Sequence, residues 1–151
     1  MSEFNFTAAK LFGGANKIIE AYHKVLLPVC KKTSLPPMAV DILTFISNNP
    51  QNNTANSICA QRGLKSGIVS VHVDRLVNEG LLKREAVEGD RRKTKLVCTE
   101  KAQPIVAESR LLQKKFAEKL YENFSEEELK IFHKCLKTIG ESIDDIRKNG
   151  I

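Results

Sequence analysis

The chain has 151 residues, 42% of them hydrophobic and 28% charged, enough for one compact domain or two small lobes with a buried core, which excludes the disordered classes. Its formal net charge of +6 favours an anionic partner. No apolar run is long enough to span a bilayer and the N-terminus lacks the apolar core of a secretory signal, so a cytosolic protein without membrane contact is expected.

Thr7 is a candidate N-cap for a first helix reaching about residue 27. Leu11, Ala15, Ile18, Tyr22 and Val25 repeat at spacings of four and three, and Ala8, Phe12, Ile19 and Leu26 form a second apolar face. A helix apolar on two sides packs against more than one neighbour. Pro28 and the pair Pro36–Pro37 bracket an expected connector. A second helix should run from Pro37 to about Ser47, because proline at a helix start gives up an N–H that would be unpaired anyway. The polar run 48–53 reads as a turn, and Thr54 caps a short third helix that stops at Gly63.

The next stretch, 64–102, organises the chain. Val69, Val73, Leu76 and Val77 fall at i, i+4, i+7 and i+8, one apolar face of a helix that Gly80 ends in a left-handed C-cap. Ser66, Gly67, Ser70, Val71 and Asp74 point away from that face. Their small side chains let a helix approach a DNA groove closely. Two strand-like runs follow, 81–87 and 93–97, around a tip at Glu88–Gly89–Asp90–Arg91–Arg92. Adjacent arginines at a hairpin tip suit the negative potential of a minor groove, and Asp90 is expected to hydrogen-bond a neighbouring arginine and fix its direction. Between Arg62 and Lys101 there are ten Lys+Arg against six Asp+Glu, whereas from Ala102 onward there are nine of each. The cationic excess therefore falls partly on the helix and hairpin. The candidate DNA-contacting residues are Lys65, Ser66, Gly67, Ser70, Val71 and Arg75 on the helix, and Asp90, Arg91, Arg92 and Lys93 on the hairpin.

Thr99 is the expected N-cap of a long helix that tolerates Pro104 in its first turns and lines one side with Ile105, Leu112, Phe116, Leu120 and Phe124. Ser125 and Glu128 form a Ser-x-x-Glu capping box for a last helix. Along it, Leu129, Phe132, Leu136, Ile139, Ile143 and Ile146 alternate in steps of three and four, an a/d seam that suits a second copy of the chain.

Cys30, Cys59, Cys98 and Cys135 form no Cys-x-x-Cys pair and are expected to be reduced, with Cys59 and Cys98 as small buried hydrophobes. His23, His72 and His133 lack metal-ligand spacing. The chain carries neither a phosphate-binding glycine loop nor a nucleophile motif, so no metal, cofactor or catalytic residue is expected.

The set Ser57-Ile58-Cys59-Ala60, Gly63-Leu64, Val69, Asp74-Arg75-Leu76, Gly80-Leu81-Leu82-Lys83-Arg84, Asp90-Arg91-Arg92 and Thr99-Glu100-Lys101 resembles the multiple-antibiotic-resistance regulator (MarR) family, with its Asp-x-Arg wing signature on Asp90 and Arg92. The sequence departs from the family's usual Ser at Lys65, Arg at Val71, Leu at Cys98 and Gly at Ala102. The resemblance implies a mostly α fold with a small β-wing: a winged helix-turn-helix lobe at about 36–99 that binds DNA, and dimerisation helices at about 7–28 and 101–148. It further implies a homodimeric, ligand-responsive transcriptional repressor on a pseudo-palindromic operator in double-stranded DNA, with a small-molecule effector between the two lobes. Two rival readings are a cysteine-based redox-sensing regulator and a winged-helix protein–protein interaction module.

Overall fold

The computed structural model describes residues 8–151, apart from the side chains at 8, 9, 11, 12 and 91. The expected Thr7 cap, and the side chains of Ala8, Leu11 and Phe12, lie outside the described residues. Two compact units are distinguished, Met1–Lys114 and Lys115–Ile151.

In the first unit, α1 (Ala8–Val25) is followed after one residue by α2 (Leu27–Thr33), where a connector was expected. Pro28 begins a helix here rather than breaking one. It stands in the first turn, where its missing N–H is harmless, and Leu26, Val29 and Cys30 form a buried i, i+3, i+4 stripe. Ser34 ends α2 with φ 57° in the left-handed region. The helix α3 (Pro37–Asn48) is the centre of the core: Ala39 through Ile46 are all buried. Its two polar members have partners. Thr44 donates to the Val40 carbonyl at 2.8 Å, and Asp41 accepts from Arg62.

The short helix α4 (Ala55–Arg62) opens as expected, with the Thr54 hydroxyl accepting from the Ser57 N–H at 3.1 Å, and closes on Gly63 at φ 63°. Next comes α5 (Ser66–Asn78), which buries Val69, Val73 and Leu76. The strands β1 (Leu82–Val87) and β2 (Asp90–Cys98) form one antiparallel ribbon, the wing. The return strand is longer than its sequence suggested and begins at Asp90. The turn is only Glu88–Gly89, with Gly89 at φ 82°, so the two arginines belong to β2 rather than to the tip.

Thr99 does not cap the following helix with its side chain. Its hydroxyl donates to the Gly80 carbonyl at 2.6 Å and its N–H to the Leu81 carbonyl at 3.0 Å, which straps the wing's end to the end of α5. A single 3-10 turn (Glu100–Ala102) leads into α6 (Gln103–Tyr121). The buried side of α6 differs from the expected one. Val106 and Ser109, one and two turns beyond Ala102, face the core, whereas Ile105 and Leu112 are half-buried and Leu120 and Phe124 exposed.

The second unit holds the end of α6 and α7 (Glu126–Asn149). Ser125 and Glu128 form the expected reciprocal capping box. Edge contacts among Tyr121, Phe124 and Phe132 close the turn between the helices. No residue of α7 is buried; Phe132, Leu136, Ile139, Ile143 and Ile146 are between 36% and 51% exposed. No helix among the described residues is long and apolar enough to cross a membrane.

Candidate nucleic-acid interface

Lys65 occupies the N-cap of α5 in an extended conformation, and its carbonyl accepts from the N–H groups of Ile68 and Val69. No side chain caps this helix start, so its first N–H groups face outward, as anion binding requires. Ser66, Gly67, Ser70 and Val71 are all exposed. At about 100° per residue, Gly67 and Val71 lie opposite the buried Val69–Val73–Leu76 stripe.

The two charged residues on the outer face are committed within the chain. Asp74 pairs with Arg84 of β1, which locks the helix to the wing. The Arg75 Nε donates to Glu79 at 2.8 Å, and its guanidinium also reaches the Ser34 carbonyl at 2.6 Å. Burial, and then the Arg75 charge, push the His72 imidazole below its usual pKa. At the far end, Gly80 (φ 72°) turns the chain, and Lys101 donates to the Glu79 carbonyl at 2.7 Å. The helix is thus held through its C-terminal half and its buried side, with its N-terminal half presented to solvent.

In the wing, Ala86 pairs with Thr94, but the next β1 residue, Val87, pairs with Asp90. Arg91, Arg92 and Lys93 therefore occupy a bulge in β2. A bulge re-aims side chains away from the regular pleat, and here it presents Arg92 and Lys93. Asp90 supports it through the backbone: its carboxylate accepts from the Arg92 N–H at 3.0 Å. It also lies 3.4 Å from the Lys93 Nζ. Arg92 and Lys93 are exposed; the Arg91 side chain lies outside the described residues. Further down the ribbon, Glu85 sits between Lys83 at 2.8 Å and Lys95 at 3.3 Å, and hydrogen bonds from both lysines hold its carboxyl below the usual range. Those two lysines are partly neutralised, so the wing's cationic character concentrates on the bulge. The Asp74–Arg84 pair joins the helix and the hairpin that carry the expected candidates.

Sequence reasoning missed the Asp74–Arg84 and Arg75–Ser34 links, which join residues ten and more positions apart. It also missed a polar seam inside the first unit. Gln113 donates to the Tyr22 hydroxyl at 2.6 Å, and Arg110 donates to Asn48 at 2.7 Å and to the Ser47 hydroxyl at 2.9 Å. The seam ties α1 and α6 to the end of α3.

A family model described as the MarR family matches residues 33–93. That segment, about two fifths of the chain, is similar to the MarR family. It holds α3, α4, α5 and most of the wing, the parts that carry the candidate contacts. No curated protein matches the chain. Among solved structures, the chain is similar to a MarR-family transcriptional regulator from Listeria monocytogenes complexed with 26mer DNA, at 17% identity and TM-score 0.76 over 93% of this chain and 95% of that one. It is also similar to the S. aureus MepR–DNA complex, at 18% identity and TM-score 0.74 over 93% and 99%. CouR from Rhodococcus jostii RHA1, bound to p-coumaroyl-CoA, matches at 19% identity and TM-score 0.69 over 85% and 87%. The chain therefore has the winged-helix MarR fold throughout most of its length.

Proposed function

We propose that this chain is a sequence-specific, double-stranded DNA-binding transcriptional regulator that acts as a homodimer on a pseudo-palindromic operator. The observation that carries the reading is the coupled helix and wing: an open helix start with small outward side chains, clamped by Asp74–Arg84 to a ribbon whose bulge displays Arg92 and Lys93. Two α5 helices would enter successive major grooves roughly 34 Å apart, with the wings reaching the flanking minor grooves. Lys65, Arg92, Lys93 and Arg91 supply phosphate and minor-groove contacts, while Ser66, Gly67, Ser70 and Val71 approach the bases. Arg75 contributes by holding α5 in place, and Asp90 by shaping the bulge.

The dimer reading is supported by α7, whose apolar stripe is left exposed in the single chain. Dimerisation would use the N- and C-terminal helices, at about 7–28 and 101–148, and the winged-helix lobe would span about 36–99. Regulation by a small molecule between these lobes, with repression as the sign, follows the resemblance and the CouR likeness. The Tyr22–Gln113 and Arg110–Asn48 seam is the place where such a ligand would shift the population of DNA-competent states.

The cysteine-based alternative has less support. Burial pushes the thiols of Cys30 and Cys98 up, away from the reactive thiolate. The exposed arginine of the wing bulge argues against a purely protein-binding module.

Fluorescence anisotropy with duplexes selected from the source genome tests the proposal. Tight binding that weakens steeply with salt, and that survives excess nonspecific DNA, is expected. Binding no stronger than to random duplex would refute sequence-specific recognition.

A further inference from the structure

We infer that Val71 is a specificity-determining residue that reads the C5-methyl group of a thymine in each half-site. The inference rests on the DNA-binding reading above. Val71 is 66% exposed, more than any other large apolar side chain in a helix among the described residues. It packs no core, and a β-branched residue adds nothing to helix propensity at an exposed position. Its place on α5 explains why it is there. It lies opposite the buried stripe, at the point where the helix surface stands furthest from the core.

The surroundings select its partner. Gly67, one turn earlier on the same outward line, has open space before it: a Cβ there would meet nothing within 4 Å. With no side chain at that position, the helix backbone can approach a groove floor closely enough for the short valine to touch it. Asp74 and Arg75, the charged residues nearest on that face, are already engaged by Arg84, Glu79 and Ser34. The remaining probes are the Ser66 and Ser70 hydroxyls and the two Val71 methyl groups. Valine's restricted χ1 makes those methyls a fixed surface.

In the major groove the one apolar feature on a base edge is the thymine methyl; the other edges present donors or acceptors. Against a polar edge, valine displaces water and returns no hydrogen bond. A guanidinium at this position would read guanine, whereas valine favours a T·A pair in one orientation.

The test uses the full-length protein and duplexes selected from a random pool. Each thymine of the selected site is replaced in turn, symmetrically in both half-sites, by uracil, which removes only the methyl. Affinities are measured for wild type and Val71→Ala. At one symmetric position, uracil should weaken wild type roughly four-fold per methyl, or about fifteen-fold for the pair. Val71→Ala should bind the thymine and uracil duplexes within about two-fold of each other. If no uracil position weakens wild type, or if Val71→Ala suffers the same loss, the role of Val71 is overturned while DNA binding stands. If wild type selects no sequence and binds no duplex even at low salt, the DNA-binding reading itself fails and this inference with it.

Discussion

Arg62→Ala should destabilise the helix-turn-helix lobe by an amount that the structure bounds. Asp41 lies in the middle of α3 with its side chain 6% exposed, and Arg62, at the end of α4, is 34% exposed. The Arg62 Nε donates to Asp41 Oδ2 at 3.1 Å, its terminal nitrogen pairs with Oδ1, and the guanidinium lies over the Phe45 ring at 5.9 Å from the centroid. A solvent-exposed pair contributes about 0–1 kcal/mol, whereas orphaning one partner of a fully buried pair costs about 3–5 kcal/mol. With one partner buried and the other a third exposed, the expected loss is about 2–3 kcal/mol. For a chain of this size that lowers Tm by roughly 4–12 °C. Circular dichroism during thermal and urea unfolding measures it. The stricter check is the double variant Arg62→Ala/Asp41→Asn. If the cost comes from an orphaned charge, removing that charge should recover at least about 1 kcal/mol relative to Arg62→Ala with Asp41→Asn treated as the second edge of the cycle. Additive single losses would refute the coupling, and would leave Arg62 as a surface residue that merely caps α4.

Leu136→Glu and Ile139→Lys should leave a species of 16.9 kDa in light scattering and sharply reduced operator affinity, against about twice that mass for wild type; a wild type that is itself monomeric at micromolar concentration refutes the dimer. Because burial raises Cys30 and Cys98, alkylation of both should be slow at neutral pH and accelerate only above the ordinary thiol range, after the exposed Cys135 has reacted, and peroxide-dependent release from DNA that disappears in Cys59→Ser or Cys98→Ser would overturn the non-redox reading. Burial pushes the Tyr22 hydroxyl up to about 12, with a further rise from Asp41 and partial offset from Gln113 and Arg62. Its folded pKa is raised above the unfolded value of 10.0, so its contribution to stability is complete below pH 10 and is lost as pH climbs towards 12, which tyrosinate absorbance and unfolding curves should show together. Arg92→Ala should weaken binding to many operators by a similar factor and flatten the salt dependence by up to about one unit of log–log slope, whereas Ser70→Ala should alter preference at one or two base pairs with little change in slope. Unchanged binding of Arg92→Ala and Arg91→Ala at every salt concentration would show that the wing does not touch DNA.

The helices were legible where local chemistry and burial agree. Thr54 and Ser125 cap as their spacing indicates, Gly63 and Gly80 terminate as left-handed residues, and Val69, Val73 and Leu76 bury the face their period marks. Pro28 misled because proline both ends and begins helices; only the burial of Leu26, Val29 and Cys30, a tertiary fact, decides which. On α6 the longer apolar residues suggested one buried side. The helix instead turns Val106 and Ser109 inward, so the buried side is not the one its own apolar stripe marks.

At the candidate site the residue types were readable and their geometry was not. Asp90 beside two arginines suggested a guanidinium pair; among the described side chains its carboxylate takes a local route the sequence reading did not name, to the Arg92 N–H two residues on. Strand register depends on pairing between runs, so the bulge holding Arg91, Arg92 and Lys93 has no mark in either run alone. The same holds for the charges on α5. Arg75 read as a candidate DNA contact and Asp74 as an outward-facing charge, yet their partners Ser34 and Arg84 lie outside α5 and draw both into the scaffold. Removing those charges from the contact surface raises the weight of the uncharged residues beside them. An exposed valine standing where the family usually has Arg thereby becomes the side chain best placed to meet a base.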